Sequence, residues 1–309
     1  MRVGIDIGGT TTAAVLLADD GSTAASTVLP SGHGPAAVTD VAVAAVAELC
    51  AAAGCAVAAV TAVGVGIPGT VDVARGRVRN AVNLGIGTLD LAAVLAERLG
   101  APVHVENDVN AAAVGAFHIL SADGRSPGSV VYLNLGTGLA CGVVLEGRLW
   151  RGTAGAAGEI GHVPVDPQGV RCTCGQRGCL ETLCSGSAVA RLWPTTGGPA
   201  PAALFSAAAG GDRAAQAIKG SVVGGVASAV RVAALSWDAE VIVLGGGMSE
   251  LGAPLLTGVR EALVAMAAAS PFLRSLDLPG RVVLPEGRRN VATLGAALLA
   301  DREPVRTAG

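Results

Sequence analysis

The sequence predicts an α/β protein that contains two copies of one plan, strand–strand–strand–helix–strand–helix. A glycine-rich turn follows a short apolar strand in each half, at residues 8–10 and again at residues 136–138. A long helix rich in alanine and valine precedes a further strand in each half, at residues 38–53 and 214–235. The alternative is two unrelated α/β domains whose turns are routine.

Length, composition and charge agree with this organisation. The 309 residues suffice for two domains of ordinary size. The chain is 51% hydrophobic but only 2% aromatic, so we expect a core of small aliphatic side chains. A net charge of -3 provides no basic surface for nucleic acid, and we therefore expect no nucleic-acid partner.

One stretch raises the question of a membrane. Residues 49–71 carry no charge and are long enough to span a bilayer. Several glycines and Pro68 interrupt this stretch, which indicates a helix end followed by a strand. The N-terminus shows no signal-peptide pattern, so we expect a soluble cytoplasmic protein without a membrane partner.

The first half begins with strands predicted at residues 2–7, 13–18 and 24–29. The first strand carries Asp6 near its end, where a carboxylate can hold Mg²⁺ directly or through water. Glycines and small hydroxyl residues in the following turn let backbone N–H groups approach a phosphate. The candidate phosphate-binding residues of this turn are Gly8, Gly9, Thr10 and Thr11.

The second half repeats this arrangement. A strand at residues 130–135 ends in a second glycine-rich turn, formed by Gly136, Thr137 and Gly138, and Asn134 corresponds to Asp6. A strand at residues 240–244 then ends in a third turn, formed by Gly245, Gly246 and Gly247. We expect the two hairpins to face each other across a cleft, with nucleotide phosphates between them and the base near the third turn.

A short strand at residues 102–106 leads into Asn107, Asp108 and a predicted helix. One interpretation is structural, because Asp108 suits the N-cap or first turn of a helix. The other is a general base, because phosphoryl transfer to a sugar hydroxyl needs a carboxylate that accepts the proton. The ends of strands are where α/β folds place ligands, and this favours the second interpretation.

Three cysteines and a histidine lie between Glu159 and Glu181, in the segment that we call the zinc knuckle (residues 159–181). The spacing is Cys-x-Cys-x4-Cys, and thiolates with an imidazole are the ligands of structural zinc sites. The alternatives are small buried thiols or a disulfide, although reduced thiols are the rule in the cytosol. The two glutamates can each accept several hydrogen bonds, which indicates a polyol ligand.

Taken together, these residues resemble the ROK family, which includes repressors, uncharacterised reading frames and sugar kinases. The resemblance covers essentially the whole chain. It is carried by the motifs Asp6-Ile-Gly-Gly-Thr10, Gly66-Ile-Pro-Gly69, Glu106-Asn-Asp108 with Asn110-Ala-Ala112, Leu135-Gly-Thr-Gly138, Glu159-Ile-Gly-His162 and Cys172-x-Cys174-Gly-x-x-Gly178-Cys179-x-Glu181.

This resemblance implies two actin-like (ribonuclease H-like) α/β domains of the sugar kinase/Hsp70/actin superfamily, with an interdomain cleft. We expect residues 1–115 and 291–309 in the first domain and residues 116–290 in the second. The implied activity is ATP-dependent phosphorylation of the primary hydroxyl of a hexose by a homodimer. Mg²⁺ would accompany the nucleotide, and Zn²⁺ would be structural.

The resemblance also implies roles for individual residues, with Asp108 as the catalytic base. The predicted sugar contacts are Gly69, Asn83, Asn107, Asp108, Glu159, His162 and Glu181. The predicted nucleotide contacts are Asp6, Gly8, Gly9, Thr10, Thr11, Gly136, Thr137, Gly138, Gly245, Gly246 and Gly247. The predicted zinc ligands are His162, Cys172, Cys174 and Cys179. His162 would bind zinc through one ring nitrogen and reach a sugar hydroxyl with the other.

Several questions stay open at this point. Many relatives carry an aromatic residue after Asn83-Leu84, and here Gly85 and Ile86 follow instead. Glucose is the first expectation, and N-acetylmannosamine, N-acetylglucosamine, mannose and fructose are alternatives, as is polyphosphate as the donor. A tetramer is an alternative to the dimer. A sugar-sensing regulator is the alternative class. Family repressors carry an added helix-turn-helix domain ahead of the first hairpin. Here that hairpin begins at residue 3, so we expect a kinase.

Overall fold

A computed structural model describes residues 1–285 and 291–300. These residues form two units. The first unit contains Met1–Ser126 and the C-terminal helix, and the second begins at Pro127 and extends through residue 285. The domain boundary expected near residue 115 falls inside a helix, Asp108–Ala122, that lies wholly in the first unit.

The first unit has a five-stranded sheet and a small three-stranded sheet. The strands of the larger sheet are β1 (Arg2–Ile7), β2 (Thr11–Leu17), β3 (Thr23–Pro30), β4 (Ala62–Ile67) and β8 (Val103–Asn107), in the order β3-β2-β1-β4-β8. The smaller sheet contains β5 (Thr70–Asp72), β6 (Arg77–Ala81) and β7 (Ile86–Leu89). The helices are α1 (Pro35–Ala53), α2 (Leu91–Leu99), α3 (Asp108–Ala122) and α11 (Val291–Leu299), with short 3₁₀ turns at Val57–Ala59 and Val82–Leu84.

The second unit repeats the five-stranded sheet. Its strands are β9 (Ser129–Leu135), β10 (Leu139–Leu145), β11 (Arg148–Trp150), β12 (Val241–Gly245) and β13 (Val282–Val283), in the order β11-β10-β9-β12-β13. Its helices are α4 (Glu181–Cys184), α5 (Gly186–Leu192), α6 (Ala200–Ala209), α7 (Arg213–Trp237), α8 (Ala253–Ala267), α9 (Pro271–Ser275) and α10 (Leu278–Arg281). Two 3₁₀ turns lie at Ile160–His162 and Gly247–Leu251.

The predicted duplication is confirmed by strand order and by register. In each large sheet three antiparallel strands are followed by two parallel ones. Asp6 pairs with Gly66 on the neighbouring parallel strand, and Asn134 pairs with Gly245 in the same way. Asp6 and Asn134 therefore occupy equivalent positions, as the sequence comparison of the two halves predicts.

Two helices, α1 and α7, are long and apolar enough to cross a membrane by length and composition alone. In the structure, α1 buries Val46 and Leu49 in the core of the first unit. Similarly, α7 buries Val226 and Val230 in the core of the second. Each helix thus contributes an apolar face to a sheet-covering layer, and the core is aliphatic as the composition predicts.

Helix α11 packs against β1, β4 and α3 through glycines that allow backbones to come close. A Cβ built at Gly4 would lie 1.9 Å from the Thr293 carbonyl oxygen, and one built at Gly64 would lie 1.8 Å from that of Ala296. A Cβ at Gly115 of α3 would lie 1.9 Å from the Val291 carbonyl oxygen. These contacts bring the end of the chain into the first unit, since any side chain at these glycines would push the helix away.

Replacing Gly115 by alanine is therefore expected to destabilise the protein by about 1–3 kcal/mol, because the added methyl group overlaps backbone atoms of α11. Thermal and urea unfolding would measure the change. Gly220 in α7 is a matched control, because a Cβ there meets nothing within 4 Å. Gly220→Ala should leave the stability unchanged or raise it by up to about 1 kcal/mol. Equal stability of the two variants would contradict this account of α11 packing.

Candidate active site

The first hairpin is held from one side by Ser31, the residue after β3. The Ser31 hydroxyl donates to the Gly8 carbonyl oxygen at 2.6 Å, and its backbone N–H donates to the Thr10 carbonyl oxygen at 2.9 Å. In a planar trans peptide the carbonyl and the following N–H point in opposite directions. The Gly9 N–H is therefore turned away from Ser31. The Gly8 N–H is used inside the turn, where it donates to the Thr11 carbonyl oxygen at 2.9 Å.

Asn107, and not Asp108, is the N-cap of α3. Its Oδ1 accepts hydrogen bonds from the backbone N–H groups of Val109 at 3.0 Å and Asn110 at 3.2 Å. Asp108 consequently lies at the first position of the helix, where the helix dipole favours a negative charge. Of the two structural positions predicted for Asp108, the N-cap belongs to Asn107 and the first turn to Asp108 itself, whose carboxylate lies at the end of β8.

A buried carboxylate supports this strand end. Glu106 is 2% exposed, and its Oε1 accepts from the backbone N–H of Asn107 and from the side-chain amide of Asn110, both at 3.0 Å. The two donors lie on either side of Asp108 in the chain. Glu106 therefore fixes the backbone that carries Asp108, a role that its position in the Glu-Asn-Asp motif did not disclose.

Two further predicted sugar contacts lie near these groups in the first unit. Gly69 has φ +101° and accepts a hydrogen bond on its carbonyl from the Asn107 amide at 3.4 Å. Asn83 is exposed in the turn Val82–Leu84, with its Cβ 3.4 Å from the Cβ that a residue replacing Gly9 would carry. The first unit therefore places Gly69 against Asn107 and Asn83 against the hairpin, along the ends of neighbouring parallel strands.

The second hairpin is held in the same manner as the first. The Gly136 carbonyl accepts from the Gly186 N–H at 2.7 Å, and the Thr137 carbonyl accepts from the Ser187 N–H at 3.2 Å. Because each carbonyl is bound from the side of α5, the N–H groups of Thr137 and Gly138 are turned to the other side. Both hairpins thus present backbone N–H groups away from the elements that hold them, which is the arrangement that an anion needs.

Glu181 connects the zinc knuckle to this hairpin. Its Oε2 accepts from the Leu139 N–H at 3.0 Å, and a Cβ built at Gly138 would lie 2.6 Å from the same oxygen. Its Oε1 lies 4.0 Å from the sulfur of Cys172. The sequence predicts only a sugar contact for Glu181. The carboxylate has enough acceptor positions for a sugar hydroxyl and for the Leu139 N–H. The contact with the hairpin is an additional role that the sequence did not predict.

The four predicted zinc ligands are brought together, since one donor atom from each lies within 4.8 Å of the others. The sulfurs of Cys174 and Cys179 are 3.7 Å apart, and the sulfur of Cys172 is 3.8 Å from Nδ1 of His162. Tetrahedral zinc with Zn–S near 2.3 Å requires ligand separations of roughly 3.6–3.8 Å. The donor set and these two separations therefore fit a structural zinc site.

Gln176 lies beside the sulfurs and was not predicted. Its side-chain amide donates to the His162 carbonyl oxygen at 3.1 Å and to the Cys174 sulfur at 3.5 Å. Hydrogen bonds from the Gln176 backbone N–H and then from its side chain lower the pKa of Cys174 to about 6. A lower pKa favours the thiolate, which is the form that binds a metal ion.

The imidazole of His162 faces two ways, as the predicted double role requires. Its Nδ1 is directed at the cysteines, and its Nε2 lies 3.9 Å from a carboxylate oxygen of Glu159. This segment rests directly on β10, because Cβ atoms built at Gly158 and Gly161 would lie 1.7 and 1.9 Å from backbone carbonyl oxygens of that strand. Glu159 and the Nε2 edge of His162 therefore lie side by side on a fixed backbone.

The third glycine turn, predicted to border the nucleotide base, is fixed by Tyr132. The phenol oxygen accepts from the Gly246 N–H at 3.1 Å, and a Cβ built at Gly245 would lie 2.0 Å from the ring. Only glycine fits beneath the ring at residue 245. Tyr132 was not predicted from the sequence, because its role in holding the third turn depends on a contact between β9 and the end of β12.

The duplicated sheet and its glycine hairpins define a class of protein, the actin-like α/β fold that nucleotide-dependent sugar kinases use. The profile of the ROK family matches residues 2–303, and the chain belongs to the ROK family. This confirms the family predicted from the motifs.

Similar proteins with known names agree with this assignment. The glucokinase of Thermotoga maritima is 37% identical over 65% of this chain and 68% of its own. The glucokinase of Streptomyces coelicolor is 30% identical over 98% of both chains. The crystal structure of a ROK family glucokinase from Streptomyces griseus, in complex with glucose and AMPPNP, has a TM-score of 0.79, 29% identity and coverage of 97% of this chain and 98% of that chain. Relatives named N-acetylmannosamine kinase and xylose repressor also match.

Proposed function

We propose that this protein is an ATP-dependent sugar kinase that phosphorylates the primary hydroxyl of a hexose, with glucose as the first substrate to test. The observation that carries the proposal is the Asp108 carboxylate at the start of α3, on a strand end that Glu106 and Asn107 hold in place. The names of the similar glucokinases support glucose as the substrate. The AMPPNP complex of the Streptomyces griseus glucokinase supports ATP as the phosphate donor.

In the proposed reaction the sugar oxygen attacks the γ-phosphorus of ATP, and the bond to the β,γ-bridging oxygen breaks to release ADP. Asp108 accepts the proton that the sugar hydroxyl loses. The N–H groups of the two hairpins bind the phosphate oxygens and stabilise their charge. Asp6 would hold Mg²⁺, which would neutralise charge on the phosphates when the nucleotide is bound.

The sugar contacts in this proposal are those predicted from the sequence. They include Asn107, Asn83 and the Gly69 backbone in the first unit and Glu159, His162 and Glu181 in the second. The carboxylates accept hydrogen bonds from sugar hydroxyls and so orient the sugar. The base of the nucleotide lies at the turn formed by Gly245, Gly246 and Gly247.

Zinc has a structural part in the proposal. His162, Cys172, Cys174 and Cys179 would complete its coordination, so the ion would not act on the substrate. It would keep Glu159, His162 and Glu181 in one geometry. We further propose a homodimer that works in the cytoplasm.

A coupled assay that detects ADP would test the function across glucose, mannose, N-acetylmannosamine, N-acetylglucosamine and fructose. Polyphosphate would replace ATP in a parallel series. Turnover of at least one hexose is the expected result. Tight binding of a sugar, measured by calorimetry, without turnover of any sugar by either donor would favour the regulator class, to which repressor relatives point.

Glu159→Gln should raise the KM for the sugar by about threefold to tenfold, because a neutral amide accepts more weakly than a carboxylate. The kcat should fall less, since Asp108 and the hairpins are unchanged. Steady-state kinetics with saturating ATP would measure both values. Glu261→Gln on the exposed face of α8 makes the same chemical change and should leave both values as they are. A kcat loss without a KM change would argue against a sugar contact.

A further inference from the structure

We propose that Ser31 is a positioning residue for nucleotide binding. Its hydroxyl holds the Gly8 carbonyl and thereby directs the Gly9 N–H toward the phosphates. The inference rests on the proposed function, because it requires the first hairpin to receive a nucleotide. No motif in the sequence pointed to Ser31, which lies well away from the hairpin along the chain.

The hydroxyl contacts of Ser31 have a defined direction. Its Oγ lies 2.6 Å from the Gly8 carbonyl oxygen and 2.8 Å from the Thr12 hydroxyl. A carbonyl can only accept, so the single hydroxyl proton of Ser31 goes to Gly8. Thr12 must then donate to Ser31. Thr12 is 1% exposed, so this chain of two hydrogen bonds starts from a buried and fixed side chain.

The place of these two hydrogen bonds determines their effect on the hairpin. The Gly8 carbonyl and the Gly9 N–H belong to one peptide plane, and holding the first fixes the direction of the second. Glycine has the widest choice of backbone conformations, so this peptide needs an external restraint more than most. The Ser31 N–H adds a bond to the Thr10 carbonyl at 2.9 Å, which restrains the other side of the turn.

The second hairpin offers an independent parallel. There the Gly136 carbonyl accepts from the Gly186 N–H at 2.7 Å, so a neighbouring element again holds the first carbonyl of the turn. The donor in that case is backbone and cannot be removed by a side-chain substitution. In the first hairpin the donor is a hydroxyl, and the effect of losing it can therefore be measured.

The loop that carries Ser31 also contacts the residues that follow Asn83, a predicted sugar contact. The Gly34 N–H donates to the Leu84 carbonyl at 2.7 Å, next to Asn83. The ring of His33 lies against Gly85, where a Cβ would be 2.5 Å from Nε2. Neither contact uses the Ser31 hydroxyl, so its removal should affect the nucleotide and spare the sugar.

The test compares Ser31→Ala with the conservative Ser31→Thr and with Ser26→Ala, an exposed serine on β3, the strand that ends just before Ser31. Calorimetry with MgADP, without sugar, would give nucleotide affinity. Kinetics would give the KM values for ATP and sugar. Loss of one oriented hydrogen bond should weaken MgADP binding and raise the KM for ATP by about threefold to tenfold. The KM for sugar should stay unchanged. Ser31→Thr should restore most of the loss, and Ser26→Ala should match the wild type.

Two results would overturn the proposal. One is Ser31→Ala binding MgADP as tightly as the wild type. The other is an equal loss of sugar and nucleotide affinity, which would indicate general loosening of the unit. If the wild type binds MgADP but phosphorylates no sugar, the proposed function fails while the MgADP comparison still decides the role of Ser31. If the wild type does not bind MgADP, both proposals are wrong.

Discussion

Asp108→Asn is expected to lower kcat by about 10²–10⁴, the usual cost of removing a general base. The amide has the shape of the carboxylate but cannot accept the proton. Asn107 still caps α3 and Glu106 still holds the backbone on either side, so the helix start should keep its geometry. The KM for the sugar should change little, because the other proposed contacts remain. Single-turnover and steady-state kinetics on the best sugar would measure both quantities.

The matched control is Asp123→Asn, which makes the same change at the exposed C-cap of the same helix. That variant should retain the wild-type kcat and melting temperature. Near-normal turnover by Asp108→Asn would show that another group accepts the proton. A loss of turnover accompanied by an equal loss of stability would instead assign a structural role to Asp108.

Cys179→Ser is expected to abolish zinc binding and to lower the free energy of unfolding by more than about 4 kcal/mol, the range reached when a structural metal is lost. Cys179 is fully buried, and its sulfur lies 3.7 Å from that of Cys174. Glu181, two residues further on, accepts from Leu139 beside the second hairpin. We therefore expect nucleotide affinity to fall together with sugar affinity when the zinc is removed.

Metal analysis of protein purified without chelators and thermal unfolding with and without EDTA would measure the effect. Cys184→Ser is the control, because Cys184 is equally buried but its sulfur contacts the Leu180 carbonyl at 3.4 Å instead of the cluster. That variant should keep its zinc. Absence of zinc from the wild type, or its full retention in Cys179→Ser, would contradict the metal assignment.

The parts of this protein that could be read from the sequence are those set by local pattern. The strand before each hairpin is a short apolar run, and the turn after it needs glycine, so both appear directly in the residues. Helices α1 and α7 are long apolar segments with turn residues at their ends. The cysteine spacing predicts a metal site directly, since three thiols and an imidazole in one loop are the ligand set of structural zinc.

The small sheet β5–β7 was not predicted, and its short strands alternate only weakly. The N-cap of α3 was one of two structural positions predicted for Asp108. The structure gives the N-cap to Asn107 and places Asp108 in the other predicted position, the first turn. Asn and Asp are about equally good caps, so preference alone does not choose between neighbours. The choice is made by the parallel pairing of β8, which extends through Asn107.

The duplicated plan, the family and the hairpin glycines follow from the sequence alone, which also contains the residues that we propose as contacts of sugar, nucleotide and zinc. Tertiary contacts set which groups hold the three glycine turns: Ser31 at the first hairpin, Glu181 at the second and Tyr132 beneath the third turn. Each of these contacts joins residues that are distant in the chain or lie on separate elements. Hydrogen bonds of this kind leave no local periodicity or spacing, because the pairing exists only once the sheets have formed.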